Sequence, residues 1–240
     1  MKVIAHRGFS GLYPENTMLA FEKAIEIGAD GIELDVHLSK DGHVMIMHDE
    51  ALKRTAGLDG VISDYTRAEL EKISAGKTKN DEFGFTPIPS LDEYLSFMAS
   101  HRDRITNIEL KTAPVYYPEI EEKTLELVRK YDLENNIIYS SFNWLSIVRM
   151  KQLGSTSKTG LLFSGMKLYN QAFIVNSLGI DYFHPDFNDL TTEIVKSYLD
   201  NKVGLNVWTV NETNDIEVCN NWNIDSVITN YPDRAISIAR

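Results

Sequence analysis

The sequence predicts an α/β fold, a closed (β/α)8 barrel with a small insertion after strand 2. Short β-rich runs alternate with amphipathic stretches along most of the chain, giving eight strand–helix units. The 240 residues are enough for one such barrel as a single unit. Polar and charged side chains cluster where apolar runs end, the position at which TIM barrels collect their active-site groups. We therefore expect one TIM-barrel domain over residues 1–240, interrupted by an insertion at about 50–90.

Taken in chain order, the expected strands are Val3–His6, Gly31–Asp35, Asn107–Leu110, Ile137–Ser141, Thr159–Phe163, Asp181–His184, Leu205–Thr209 and Ser226–Thr229. Helical periodicity falls near Glu15–Ile27, Leu91–Ser100, Pro118–Lys130, Trp144–Leu153, Leu168–Leu178, Thr191–Asn201, Thr213–Asn221 and Pro232–Ala239. Ser90 and Asn211 read as N-caps, and Gly28, Gly154 and Gly179 sit where helices should end. Lys40-Asp41-Gly42-His43 reads as a two-residue type I′ hairpin. Between Asp49 and Leu91 lies a long connection rich in Gly, Pro and charge, with one helix expected at Arg67–Ile73. It reads either as a small unit over the barrel mouth or as a passive surface insertion.

Composition narrows the function. The net charge of −11 argues against nonspecific binding to nucleic acid or anionic membranes, which needs basic patches. An anionic substrate would need particular cationic side chains or a metal. The single Cys219 excludes an intrachain disulfide and a thiolate metal cluster, and its helical setting reads as an idle thiol. The chain reads as a strand from Lys2 onward, with no leader-like pattern and no apolar run of membrane-spanning length. The expectation is a soluble, cytoplasmic protein.

The chemistry concentrates between His6 and Asp49. Glu33 and Asp35 alternate on one strand and share a face, and Glu109 follows on the next strand. Three inward carboxylates repel unless they share a cation, so they read as a hard-cation site for Mg²⁺ or Ca²⁺. With Lys40 opposite His43, Asp35 would stand opposite His48 and bring that imidazole to the carboxylates. His37 would face Ile46 farther out and reads as a rim contact, a support behind the site or, more simply, an ordinary surface histidine. Arg7, next to strand-end His6, suggests an anion held in a fork, with Gly8 letting a ligand approach the backbone. His184 ends a strand before Pro185 and could line the mouth without reacting. Trp208 offers either an aromatic wall for a small ligand or ordinary core packing.

Together these residues resemble the glycerophosphodiester phosphodiesterase family. The likeness is carried by His6-Arg7-Gly8, Pro14-Glu15-Asn16-Thr17, Glu33-x-Asp35-Val36, Lys40-Asp41-Gly42, His48-Asp49, Asn107-Ile-Glu109-Leu-Lys111 and Trp208-Thr209-Val210-Asn211. Ser39 stands where the family often has Thr. The resemblance implies a TIM barrel with His6 and His48 as the acid–base pair and one divalent cation on Glu33, Asp35 and Glu109. It implies that Arg7 and Lys111 hold phosphate oxygens, and that Glu15-Asn16-Thr17 braces the first loop. The implied reaction converts a small-molecule glycerophosphodiester to an alcohol and sn-glycerol 3-phosphate. Its nucleophile is either water or the substrate's own glycerol 2-hydroxyl.

Two other readings compete. A lysophospholipase D-type activity would need an apolar channel, expected under the insertion with Leu58, Phe83 and Phe85. A non-catalytic barrel binding a phosphorylated metabolite would need Arg7 and the cation but not two acid–base groups. A nuclease ranks last because the basic track for a polyanion is missing.

Overall fold

The computed structural model describes residues 1–77, 79, 81–113, 115–165 and 171–240. In chain order the elements are β1 (Lys2–His6), α1 (Met18–Glu26), β2 (Gly31–Leu38), β3 (Val44–Ile46), α2 (Lys53–Ala56), α3 (Arg67–Leu70), α4 (Leu91–Met98), β4 (Ile105–Leu110) and α5 (Ile120–Lys130). There follow β5 (Ile137–Ser141), α6 (Trp144–Gln152), β6 (Lys158–Phe163), α7 (Gln171–Ser177), β7 (Tyr182–Pro185), α8 (Thr192–Asp200), β8 (Gly204–Val207), α9 (Thr213–Asn221), β9 (Ser226–Thr229) and α10 (Pro232–Ala239). Parallel pairing runs β1-β9-β8-β7-β6-β5-β4-β2 and returns from β2 to β1, closing the expected barrel. β3 adds to β2 as an antiparallel hairpin arm.

The main apolar core lies between the strands and the surrounding helices. Ala5, Ile32, Leu34, Ile108, Leu161 and Leu205 point outward from the strands onto Phe21, Tyr94, Leu125, Ile147 and Ile216. Alternation along each strand then turns Glu33, Asp35, Asn107, Glu109, His184 and Asn206 inward, and all are buried. Among the described residues no helix is long and apolar enough to cross a membrane.

Three connections at the barrel's base share one device. Gly28, Gly179 and Asn223 end helices with φ of 86°, 62° and 56°. Each is followed by a buried apolar residue (Ala29, Ile180, Ile224) and then an aspartate. Asp30, Asp181 and Asp225 accept the backbone N–H of Val3, Thr159 and Leu205 at 2.8, 2.9 and 2.8 Å. The left-handed residue stops the helix, the apolar residue plugs the base, and the carboxylate ties the incoming strand to an earlier one.

Several boundaries differ from expectation for local reasons. α1 starts at Met18 because Asn16 has φ of 54° and Thr17 is the N-cap, its hydroxyl accepting from Ala20 N at 3.3 Å. α5 starts at Ile120 because Glu119 is left-handed at φ 68°. Ser90 caps α4 as expected. Asn211 does not cap α9; its Oδ1 instead accepts from Asn230 N at 2.9 Å, and Glu212 occupies the cap position. Residues 168–170 of the expected 168–178 helix lie outside the described residues.

The hairpin register is shifted by one residue. His37 pairs with Met45 and Leu38 with Val44, while Gly42 N donates to Ser39 O across the turn. The loop is therefore three residues, Lys40, Asp41 and Gly42, with left-handed Gly42 at φ 76°. Asp35 O accepts from Met47 N, so Met47 rather than His48 stands opposite Asp35. Leu52, Ala56, Ile62, Leu70, Ala75 and Ile88 form a second apolar cluster seated on Met45 and Met47 of the hairpin arm.

Candidate active site

Strand register builds the acidic centre. His6 aligns with Glu33 between β1 and β2, Glu33 with Asn107 and Asp35 with Glu109 between β2 and β4. Neighbours on parallel strands point the same way, so three carboxylates converge inside the barrel. One oxygen each from Glu33, Asp35 and Glu109 lies within 4.8 Å of the others. Two oxygens across a hard cation stand ~4–5 Å apart, twice the metal–oxygen distance, so the spacing fits Mg²⁺ or Ca²⁺. Asp35 Oδ1 is buried without a hydrogen-bond partner, as a ligand atom would be.

Electrostatics agree with that use. Burial and repulsion from Asp35 and Glu109 push the Glu33 carboxyl well above its usual range. Glu109 is raised to about 7 by burial and Asp35, against the pull of Lys111. Burial alone would raise Asp35 too, but Lys111 and Arg7 hold it well below the usual carboxylate range. Their nitrogens lie 3.5 and 3.4 Å from its oxygens. The two cations favour the charged form of Asp35, and an added divalent cation would favour the charged form of the other two carboxylates.

Arg7 reaches this position through a left-handed backbone, φ 56°, which turns its N–H onto Glu33 Oε2 at 2.9 Å. Gly8 is required for a different reason from ligand approach. A Cβ there would stand 2.7 Å from the backbone of Ala20, so the glycine seats the loop against α1. The Pro14–Thr17 segment does brace the loop: Glu15 accepts from Arg7 Nη1 at 2.9 Å and Asn16 donates to Asp35 at 2.8 Å. Lys111 Nζ donates to Glu109 at 2.9 Å.

Both mouth histidines are held at Nδ1. His6 Nδ1 donates to Asn230 Oδ1 at 2.6 Å, and His48 Nδ1 to Asp49 Oδ1 at 2.6 Å. Each partner fixes the tautomer and leaves Nε2 to exchange a proton. Burial and the Arg7 charge lower His6 to about 4, and burial also lowers His48. His48 reaches the mouth from the irregular segment beyond β3, not as a ladder partner of Asp35. Its carbonyl accepts from His37 Nε2 at 3.1 Å. His37 is thus a buried support with Tyr117 on its other nitrogen, and the surface reading is corrected.

A cavity gathers His6, Arg7, Glu33, His48, Glu109, Lys111 and Trp208, with Asn107, Phe142 and Leu162 also lining it. Asp35 lies fully buried beneath it. Trp208 is a wall residue, its Nε1 donating to His184 O at 2.8 Å and its ring meeting Phe142 edge-on at 5.6 Å. His184 itself is buried in the barrel against Asn206 and does not reach the mouth. Leu58, Phe83 and Phe85 are not among the residues that line this cavity. Cys219 is fully buried, and burial raises its thiol to about 12. Asn230 and Phe142 went unnoticed in the sequence. Asn230 follows the last barrel strand, and that position was its available signal.

Comparison with known proteins follows the same lines. Residues 6–234 match the model of the glycerophosphoryl diester phosphodiesterase family. A glycerophosphodiester phosphodiesterase of Caldanaerobacter subterraneus subsp. tengcongensis is 38% identical over 99% of this chain and 97% of its own length. One from Bacillus altitudinis is 36% identical over 99% and 97%. The crystal structure of the Thermotoga maritima glycerophosphodiester phosphodiesterase superposes with a TM-score of 0.79 at 32% identity, covering 98% and 97% of the two chains. An Oleispira antarctica phosphodiesterase in complex with the product sn-glycerol-3-phosphate gives 0.87 at 28% identity, covering 99% and 96%.

Proposed function

Because the chain belongs to the glycerophosphoryl diester phosphodiesterase family, we propose that it hydrolyses glycerophosphodiesters to an alcohol and sn-glycerol 3-phosphate. The observation that carries the assignment is the pairing of two Nδ1-anchored histidines with three converging carboxylates around one cavity. A binding module would need the cationic and acidic groups but not two imidazoles prepared for proton transfer.

In this reading Glu33, Asp35 and Glu109 hold one divalent cation, Mg²⁺ or Ca²⁺. When bound, it supplies charge neutralisation to the phosphoryl oxygens. Arg7 and Lys111 add fixed positive charge to the same oxygens, stabilising the charge that builds up in the transition state. One imidazole, His6 or His48, takes the proton of the attacking oxygen through Nε2 as the new P–O bond forms. The other gives a proton to the departing alkoxide as the old P–O bond breaks, so the pair ends with its protons exchanged. The attacking oxygen is either water or the glycerol 2-hydroxyl, whose cyclic product water then opens. Trp208 forms a wall for the bound diester.

We take residues 1–240 as one catalytic domain with its insertion at about 50–90, acting in the cytoplasm on small diesters, not on nucleic acid. The test is glycerol 3-phosphate release from glycerophosphocholine and glycerophosphoethanolamine, with Mg²⁺ or Ca²⁺ and with EDTA. Metal-dependent release is expected. Choline release from lysophosphatidylcholine alone would instead favour the lysophospholipase D reading, and product binding without any turnover would favour a non-catalytic barrel.

A further inference from the structure

Two arms of the site come from separate parts of the chain, Arg7 from the loop after β1 and His48 from the segment after β3. Among the described residues, the Arg54 side chain of the insertion connects them. Arg54, in α2, donates Nη1 and Nη2 to the two oxygens of Glu15 at 2.8 and 2.7 Å, and Nε to Asp49 Oδ2 at 2.5 Å. Glu15 in turn accepts from Arg7, and Asp49 from His48. The result is an unbroken chain of charge-assisted hydrogen bonds: His48, Asp49, Arg54, Glu15, Arg7. Signs alternate along it, and each carboxylate is shared between a site residue and Arg54.

Arg54 does not line the cavity and is 46% exposed, so it acts on the reaction only through its partners. Its partners are more covered, Glu15 at 22% and Asp49 at 28% side-chain exposure. α2 is anchored independently by Leu52 and Ala56, both buried in the insertion's own apolar cluster. A charged network that joins the two arms through the insertion points to geometry as a purpose beyond folding. Only a guanidinium can satisfy it, because its planar fork grips one carboxylate with two donors while the third meets another. Lysine, a point charge, could hold one carboxylate or the other.

We propose that Arg54 is a positioning residue, holding the His48 imidazole and the Arg7 guanidinium in a fixed mutual geometry through Asp49 and Glu15. This rests on the phosphodiesterase reading above and gives the insertion a role in it.

The experiment compares Arg54→Ala, Arg54→Lys, Asp49→Asn, Glu15→Gln and the double variant Arg54→Ala/Asp49→Asn, each at saturating metal with glycerophosphocholine. Misplacement of a reacting group by about 1 Å costs on the order of 10²-fold, so Arg54→Ala should lower kcat by about 10–100-fold. It should also weaken inhibition by sn-glycerol 3-phosphate, through Arg7. Asp49→Asn should lower kcat with product binding retained, and Glu15→Gln should weaken product binding together with a loss of kcat through Arg7. The double variant should be no slower than Arg54→Ala. Methylguanidinium should partly rescue Arg54→Ala, and the nitrogen resonances of His48 should shift in that variant without substrate. Wild-type kcat and product affinity in Arg54→Ala would overturn the proposal. Losses that multiply in the double variant would overturn it as well. An inactive wild type marks failure of the phosphodiesterase reading; an active wild type with an unaffected Arg54→Ala marks failure of this inference alone.

Discussion

Replacing Glu109 by Gln should make the metal-free protein more stable while weakening its metal site. Glu109 is 8% exposed and its carboxyl is raised from 4.5 to about 7. A carboxyl raised in the folded state keeps its proton there after the unfolded chain has released it. Stability therefore falls as pH rises from about 4.5 to about 7, and the full penalty is present above that range. The cost to the metal-free fold is on the order of a few kcal/mol, shared among the interacting Glu33, Asp35 and Glu109. The amide oxygen can still accept from Lys111 Nζ, which now bonds Glu109 at 2.9 Å, so the substitution leaves that donor satisfied. For a chain of this size the gain converts to roughly 5–10 °C in Tm.

The assay is thermal unfolding in EDTA at pH 8 and pH 4, repeated at pH 8 with Mg²⁺ or Ca²⁺. The variant should melt higher at pH 8 and equally at pH 4, where both states hold the proton. Metal at 100 times its Kd should add ~2.7 kcal/mol to the wild type and much less to the variant, narrowing or reversing the order. A variant that melts at or below the wild type at pH 8 in EDTA would refute the electrostatic argument. Equal metal-induced shifts in both would refute Glu109 as a ligand.

Other perturbations have sharper catalytic outcomes. His6→Ala and His48→Ala should each lower kcat by at least ~10²–10⁴-fold with Tm nearly unchanged; near-normal rates in either would remove it from the acid–base pair. Asn230→Ala frees His6 Nδ1 and should cost about tenfold in kcat, the value of one lost hydrogen bond, checked against an unchanged KM. Trp208→Ala should lower kcat/KM for glycerophosphocholine by about tenfold through the lost aromatic wall, and an unchanged value would return Trp208 to core packing.

The strand–helix alternation fixed the barrel from sequence because each unit carries its own periodicity and stop signal. Glu33, Asp35 and Glu109 were legible for a related reason: strand alternation decides which face a side chain takes, and barrel closure leaves that face inward. The hairpin register was not legible. A two-residue and a three-residue loop both accommodate Asp41-Gly42, and the choice was made by the fit of Ser39 and His43 across the turn. That single-residue slip put Met47 opposite Asp35, and His48 reaches the mouth from irregular backbone.

His37 was misplaced for the same reason, since only the packed arm shows it beneath His48 against Tyr117. Asn230 and Arg54 stand 224 and 39 residues from His6 and Glu15, the groups they hold. Local sequence carries periodicity, caps and the chemistry of strand ends. Contacts between distant segments exist only once the barrel has closed, so the partners that set tautomers, orient guanidiniums and shift pKa values belong to the tertiary structure.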